Sequence, residues 1–174
     1  MSALDTLRQE AIKPLEEAHA LPFAAYTDES VYAEEVRKVF HNEWVFVCQE
    51  PELAMPGDYF AIALAGEPIC VIRGTDRKLR ALSNICRHRG TPLLDEGYGN
   101  VARYVTCPYH AWSYGLDGEL KAIPYNKQIT VDRERHRLPR FHCDTWGGQF
   151  LATRLFDLSP TDFYEEPGAR RHAD

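Results

Sequence analysis

Two short runs limit what this chain can fold into. The first is Cys86-Arg87-His88-Arg89-Gly90 and the second is Cys107-Pro108-Tyr109-His110. They read as Cys-x-His, a spacer of eighteen residues, then Cys-x-x-His. A thiolate and an imidazole in each of two loops make a donor set for a metal centre. Any fold that uses it must bring the two loops face to face.

The distribution of donors narrows the chemistry. In a [2Fe–2S] cluster with mixed ligation, the cysteines hold one iron and the histidines the other. On that pairing Cys86 and Cys107 take the inner iron, and His88 and His110 the outer one. One intervening residue in the first loop and two in the second let the loops approach as a pair. Neutral imidazoles replace two thiolate anions, so such a site accepts an electron at a higher potential than an all-cysteine cluster. The same four side chains also satisfy a tetrahedral zinc ion. Zinc knuckles usually pair like ligands, whereas each knuckle here is mixed, which favours the cluster.

The runs 86–93 (Cys-Arg-His-Arg-Gly-Thr-Pro-Leu) and 107–118 (Cys-Pro-Tyr-His-Ala-Trp-Ser-Tyr-Gly-Leu-Asp-Gly) resemble the N-terminal Rieske domain of ring-hydroxylating (Rieske non-haem iron) oxygenase α subunits. The Arg89-Gly90 pair and the aromatic run after His110 carry the likeness, which extends over about residues 26–156. Small Rieske ferredoxins share the ligands but usually lack that Arg-Gly. The resemblance implies an all-β Rieske iron-sulfur fold of stacked antiparallel sheets with two cluster-binding loops, preceded by an N-terminal helix. It implies a Rieske-type [2Fe–2S] cluster, a reductase or ferredoxin as electron donor, and an oxygenase catalytic iron domain as acceptor. It also leaves room for a homo-oligomer.

Size and charge agree. A chain of 174 residues can bury about 70% of its unfolded surface as one domain. The net charge of −6, with no Lys/Arg-rich block, argues against a nucleic-acid partner. The first thirty residues lack a secretory pattern and no apolar run reaches membrane-span length, so a cytoplasmic location and no membrane contact are expected. With two cysteines assigned as ligands, Cys48, Cys70 and Cys143 are a poor disulfide framework. Cys48 and Cys70 lie in apolar runs and read as buried strand residues.

Three segments are expected: an N-terminal arm over 1–27, the Rieske domain over 28–158 and a polar tail over 159–174. Within the arm, 3–18 is a candidate helix broken by Pro14. A helix is expected over 28–43, capped by Asp28 or Ser30, with Tyr32, Val36, Val39 and Phe40 on one face. Strands are expected over 45–48, 59–64, 69–73, 79–84, 101–106, 112–114, 120–123 and 146–152. Turns are expected at 74–77, 97–100 and 116–119.

Residues around the ligands set the potential. Rieske proteins of respiratory cytochrome bc complexes carry an extra Cys in each loop, joined as a disulfide. Thr91 and Tyr109 stand at those positions here, so that bond cannot form. Those proteins also place a Ser two residues after the second His, where this chain has Trp112, while the Tyr two residues later is kept as Tyr114. Hydrogen bonds to the sulfurs stabilise the reduced state. Losing one predicts a midpoint near the low end of the Rieske range of about −150 to +300 mV. Arg87 and Arg89 would flank the exposed imidazole edge, either as solvated charges or as a docking surface for an acidic partner.

The catalytic iron of the resembling subunits is held by two His and a carboxylate, in the pattern acid or amide, two residues, His, four residues, His. Asp132, His136 and His142 match neither spacing, and Pro139 interrupts a helix between them. They read as a charged loop beneath the cluster domain, and the tail resembles no start of a catalytic domain. The expectation is therefore an oxidoreductase component that carries one electron but lacks its own mononuclear oxygen-activating iron site. The alternatives are a non-catalytic redox-sensing or structural iron-sulfur subunit, and a stand-alone Rieske ferredoxin.

Overall fold

The computed structural model describes residues 2–124 and 130–153. The expected tail over 159–174, with His172, lies outside them. The chain divides into two compact units between Glu43 and Trp44.

The first unit is helical. Helix α1 (Ala3–Ala11) starts on a capping box in which the Ser2 side chain accepts the Asp5 N–H. It ends before Pro14, and a single tight turn follows at Leu15–Glu17. After the short α2 (Ala24–Thr27), α3 (Glu29–Glu35) is capped by Asp28, whose carboxylate accepts the Ser30 N–H. The helix expected over 28–43 instead widens into a π turn at Val36–Phe40. Its buried residue is Val31, while Tyr32 and Val39 are exposed. The Tyr32 and Phe40 rings still meet, with centroids 6.4 Å apart, so those two share a face as expected.

The second unit is built of β-strands. Seven form one antiparallel sheet in the order β1 (Val45–Gln49), β10 (Gln149–Thr153), β9 (Arg140–Trp146), β4 (Leu79–Ser83), β3 (Glu67–Arg73), β2 (Asp58–Leu64) and β5 (Gly97–Asn100). Three more, β6 (Tyr104–Thr106), β7 (Ser113–Gly115) and β8 (Leu120–Ala122), form a second sheet. Strand β3 explains why the large sheet is covered on both faces. Its side chains alternate, so Ile69 and Val71 enter a core with Val47, Leu53 and Phe150. Cys70 and Ile72 enter another core with Leu82, Val105, Tyr114 and Leu138. Ile69, Val71 and Ile72 are at most 1% exposed, and burying each is worth about 1.5–3 kcal/mol. The second core joins the two sheets and holds both Cys86 and Cys107.

The 74–77 turn forms as expected between β3 and β4, with the Gly74 N–H donating to Lys78 O at 2.8 Å. Three expectations are corrected. Residues 97–100 are strand β5 rather than a turn, and pair with β2 through Tyr59↔Gly99 and Phe60↔Tyr98. The Tyr59 ring fills the space beside Gly99, where an added Cβ would overlap it. The strand expected over 101–106 is only Tyr104–Thr106. The closing strand expected over 146–152 is two strands, because Gly147 and Gly148, both at positive φ, turn β9 back into β10.

Candidate metal centre

The loop carrying Cys86 and His88 leaves β4 and the one carrying Cys107 and His110 joins β6 to β7, so each comes from a different sheet. The loops share one backbone design. The Cys86 N–H donates to Thr91 O and the Gly90 N–H to Cys86 O. The Cys107 N–H likewise donates to Trp112 O and the Ala111 N–H to Cys107 O. In each loop the residue four after the cysteine takes a left-handed conformation, Gly90 at φ 74 and Ala111 at φ 57. Within these matched frames His88 is two residues after its cysteine and His110 three.

Asn84 closes the base of the first loop. It is 4% exposed, its Nδ2 donates to Leu94 O at 2.8 Å and its Oδ1 accepts the Leu94 N–H at 3.0 Å. A bridge between Ile85 and Pro92 sits beside it. Nothing in the spacing of the motif points to Asn84, which follows directly after β4.

The four expected ligands converge. Cys86 and Cys107 are each 2% exposed, and the Cys107 side chain is among the groups that raise the Cys86 thiol pKa. The rings of His88 and His110 lie 4.8 Å apart. The Nδ1 of His110 is buried and has no hydrogen-bond partner. A buried ring nitrogen of this kind is costly unless it binds something, and a metal ion would supply that partner. Among the described residues no three of His, Cys, Asp and Glu converge on one ion position. A two-iron cluster takes its protein ligands in pairs.

Burial leaves the Cys86 thiol pKa raised, although the Tyr114 hydroxyl and the His88 backbone N–H offset part of that rise. Tyr114 is fully buried, with its hydroxyl 3.3 Å from Cys86 Sγ. That oxygen accepts the Arg87 N–H at 3.0 Å, which leaves its own proton for the sulfur. Burial, then the charges of His110 and Arg89, hold the His88 pKa below its ordinary value, which keeps a lone pair available for a metal.

Trp112 stacks face to face on His88, with centroids 4.8 Å apart and planes 7° from parallel. Its position two residues after His110 showed only that a hydroxyl was missing, and the stack was not anticipated. Tyr109 is exposed, with its ring 3.9 Å from that of His110. Arg87, His88, Arg89 and Gly90 are exposed.

Of Asp132, His136 and His142, the structure gathers the first two. His136 Nδ1 lies 2.8 Å from the Asp132 carbonyl, and its ring meets Trp112 edge-on at 5.6 Å. His142 lies on β9, paired with Thr153.

With this geometry established, likeness to known proteins is informative. Residues 43–152 match the Rieske [2Fe-2S] domain family. The chain is 38% identical to the oxygenase subunit of glycine betaine monooxygenase from Chromohalobacter salexigens, over 82% of this chain and 32% of that protein. It is 41% identical to the carnitine monooxygenase oxygenase subunit of Acinetobacter baumannii, over 69% of this chain and 32% of that one. The apo form of a quaternary ammonium Rieske monooxygenase superposes with a TM-score of 0.75 at 33% identity, over 84% of this chain and 43% of that one. Naphthalene 1,2-dioxygenase from Rhodococcus sp. superposes with a TM-score of 0.78 at 25% identity, over 91% and 37%. The chain thus spans about a third of the length of the curated relatives it matches. No helix among the described residues is long and apolar enough to cross a membrane. The chain belongs to the Rieske [2Fe-2S] domain family, and its cofactor is a Rieske-type iron-sulfur cluster.

Proposed function

We propose that Cys86, His88, Cys107 and His110 hold the cluster, and that this region carries one electron to the iron site of an oxygenase. The observation that carries this reading is the buried, unpartnered Nδ1 of His110, whose ring lies 4.8 Å from that of His88, in a chain whose Cys86 and Cys107 are both buried. When bound, the cluster stores and releases a single electron at a potential set by its surroundings. Cys86 and Cys107 anchor its inner side in the core. His88 and His110 would hold its outer side, and the exposed His88 would face a partner there. Tyr114 donates to sulfur and favours the reduced state.

The donor in this reading is a reductase or ferredoxin, and Arg87 and Arg89 beside His88 suit an acidic surface on it. The acceptor is a catalytic iron on another chain or on a domain outside the matched segment. The relatives are oxygenase components named for glycine betaine, carnitine, salicylate and 2,4-dinitrotoluene. Such varied substrates around one shared cluster domain assign substrate choice to the remainder of those proteins.

The test is an EPR spectrum and a redox titration of the dithionite-reduced protein. A rhombic signal with an average g below that of an all-cysteine cluster, and a midpoint near the low end of the range, are expected. Stoichiometric zinc with no such signal, or a midpoint well above 0 mV, overturns the reading.

A further inference from the structure

The 130–139 segment takes no part in the ligand set, yet it reaches the cluster site. It is tied to the β7–β8 hairpin by contacts that do not involve His136. The Leu138 N–H donates to Gly118 O at 2.8 Å, and Arg133 Nη1 donates to Lys121 O at 2.6 Å. Leu138 is 2% exposed and belongs to the core that joins the sheets. Asp132 Oδ1 accepts the N–H groups of Glu134 and Arg135, which shapes the turn before His136. The imidazole is then fixed twice, by Nδ1 donating to Asp132 O at 2.8 Å and by its edge-on contact with Trp112 at 5.6 Å and 68°.

Trp112 is the link. It is 8% exposed, while His88, on which it lies flat, is exposed. One face of the His88 ring is therefore covered by an indole, and the indole is itself braced by a ring distant in sequence. Edge-to-face pairs of this kind have a preferred geometry beyond simple area burial.

We propose that His136 is a positioning residue for the cluster: through Trp112 it fixes the plane of the His88 ring and keeps water off that face. The inference rests on the reading of His88 as a ligand. Its consequence follows from charge. Two ferric ions, two sulfides and two thiolates sum to zero, so the oxidised site is neutral and the reduced site carries one extra negative charge. Water admitted beside His88 solvates that extra charge and favours reduction. A loosened Trp112 therefore raises the midpoint, and a His88 ring free to rock broadens the EPR lines.

Two substitutions separate the ring from its hydrogen bond. His136→Gln keeps a donor for Asp132 O and loses the ring; His136→Phe keeps an edge-on ring and loses the donor. At fixed pH the first is expected to raise the midpoint by about threefold in the one-electron equilibrium, near 30 mV at ~59 mV per tenfold, with broadened EPR lines. The second is expected to match the parent. In a Trp112→Leu background, His136→Gln is expected to add nothing. The inference is overturned if His136→Gln leaves midpoint and lineshape unchanged, if His136→Phe shifts them as far, or if the effect persists without Trp112. A parent protein without the rhombic signal would instead sink the ligand reading itself, so the two failures are distinguishable.

Discussion

The hydroxyl of Tyr114 lies 3.3 Å from the sulfur of Cys86, and both residues are shut away from solvent. Because that hydroxyl already accepts the Arg87 N–H, its proton is directed at the sulfur. Burial and the bond to Cys86 raise the Tyr114 pKa, so it remains a donor well into the alkaline range.

Tyr114→Phe removes this donor and little volume. A hydrogen bond to a charged group is worth about 1.5–3 kcal/mol, and only the difference between oxidised and reduced states shows in the potential. The midpoint is expected to fall by on the order of 40–80 mV, taking ~59 mV per tenfold for one electron. Iron content should be retained. An unchanged midpoint in a titration followed by EPR would show that the proton points elsewhere.

Asn84 makes a stability prediction independent of redox chemistry. Its side chain satisfies both the N–H and the C=O of Leu94 across the base of the first loop. Asn84→Ala leaves both groups unpaired in a part-buried setting, at about 1–3 kcal/mol. Urea denaturation should show a loss of about 2 kcal/mol, and the iron retained after gel filtration should drop. Parent-like values for both would mean that the loop is closed by its backbone alone.

The parts of this architecture that were legible in the sequence are the local ones. Cys86, His88, Cys107 and His110 announce themselves by type and spacing, and the 74–77 turn by its Gly and Asp. Strand β9 was missed although Arg140, His142 and Asp144 alternate with Phe141 and Cys143 as in a half-buried strand; it has no fully apolar run, and its burial is intermediate at best. Gly97 and Gly99 resemble turn residues, yet one is there to make room for the Tyr59 ring. The stack of Trp112 on His88 and the bracing by His136 join residues 24 positions apart in two cases, 88–112 and 112–136. No short-range pattern encodes contacts of that separation, since two sheets and a returning segment must first be assembled around them.

The matched ligand loops predict opposite responses at equivalent positions. Gly90 and Ala111 both hold a left-handed conformation, which costs an L-residue roughly 1–2 kcal/mol. Ala111→Gly relieves that strain and gives back part of it as unfolded-chain entropy, for a net gain of about 0.5–1 kcal/mol. Gly90→Ala should lose about 1 kcal/mol, although open space surrounds the added methyl. Thermal melts of the two variants moving in the same direction would contradict a shared backbone design.

The acid limb of stability is expected to involve Asp76. Its two carboxylate oxygens meet Arg80 at 2.8 and 2.7 Å, and one also accepts the Lys78 N–H, which fixes the β3–β4 turn. The Arg80 guanidinium, ahead of the backbone contacts, holds the Asp76 carboxyl well below the usual carboxylate range. A folded-state pKa below the unfolded value of about 3.9 means that the stabilisation is fully present above that value. It is lost as the pH falls from about 4 towards the depressed folded pKa. The pair is partly open to solvent, with Asp76 46% exposed, so screening limits it to about 0.5–1 kcal/mol. Asp76→Asn should therefore be less stable than the parent at pH 7 by that amount, and the gap should close in urea titrations near pH 2. A gap that stays constant across this window would assign the effect to the turn's hydrogen bonds, with no contribution from the charge.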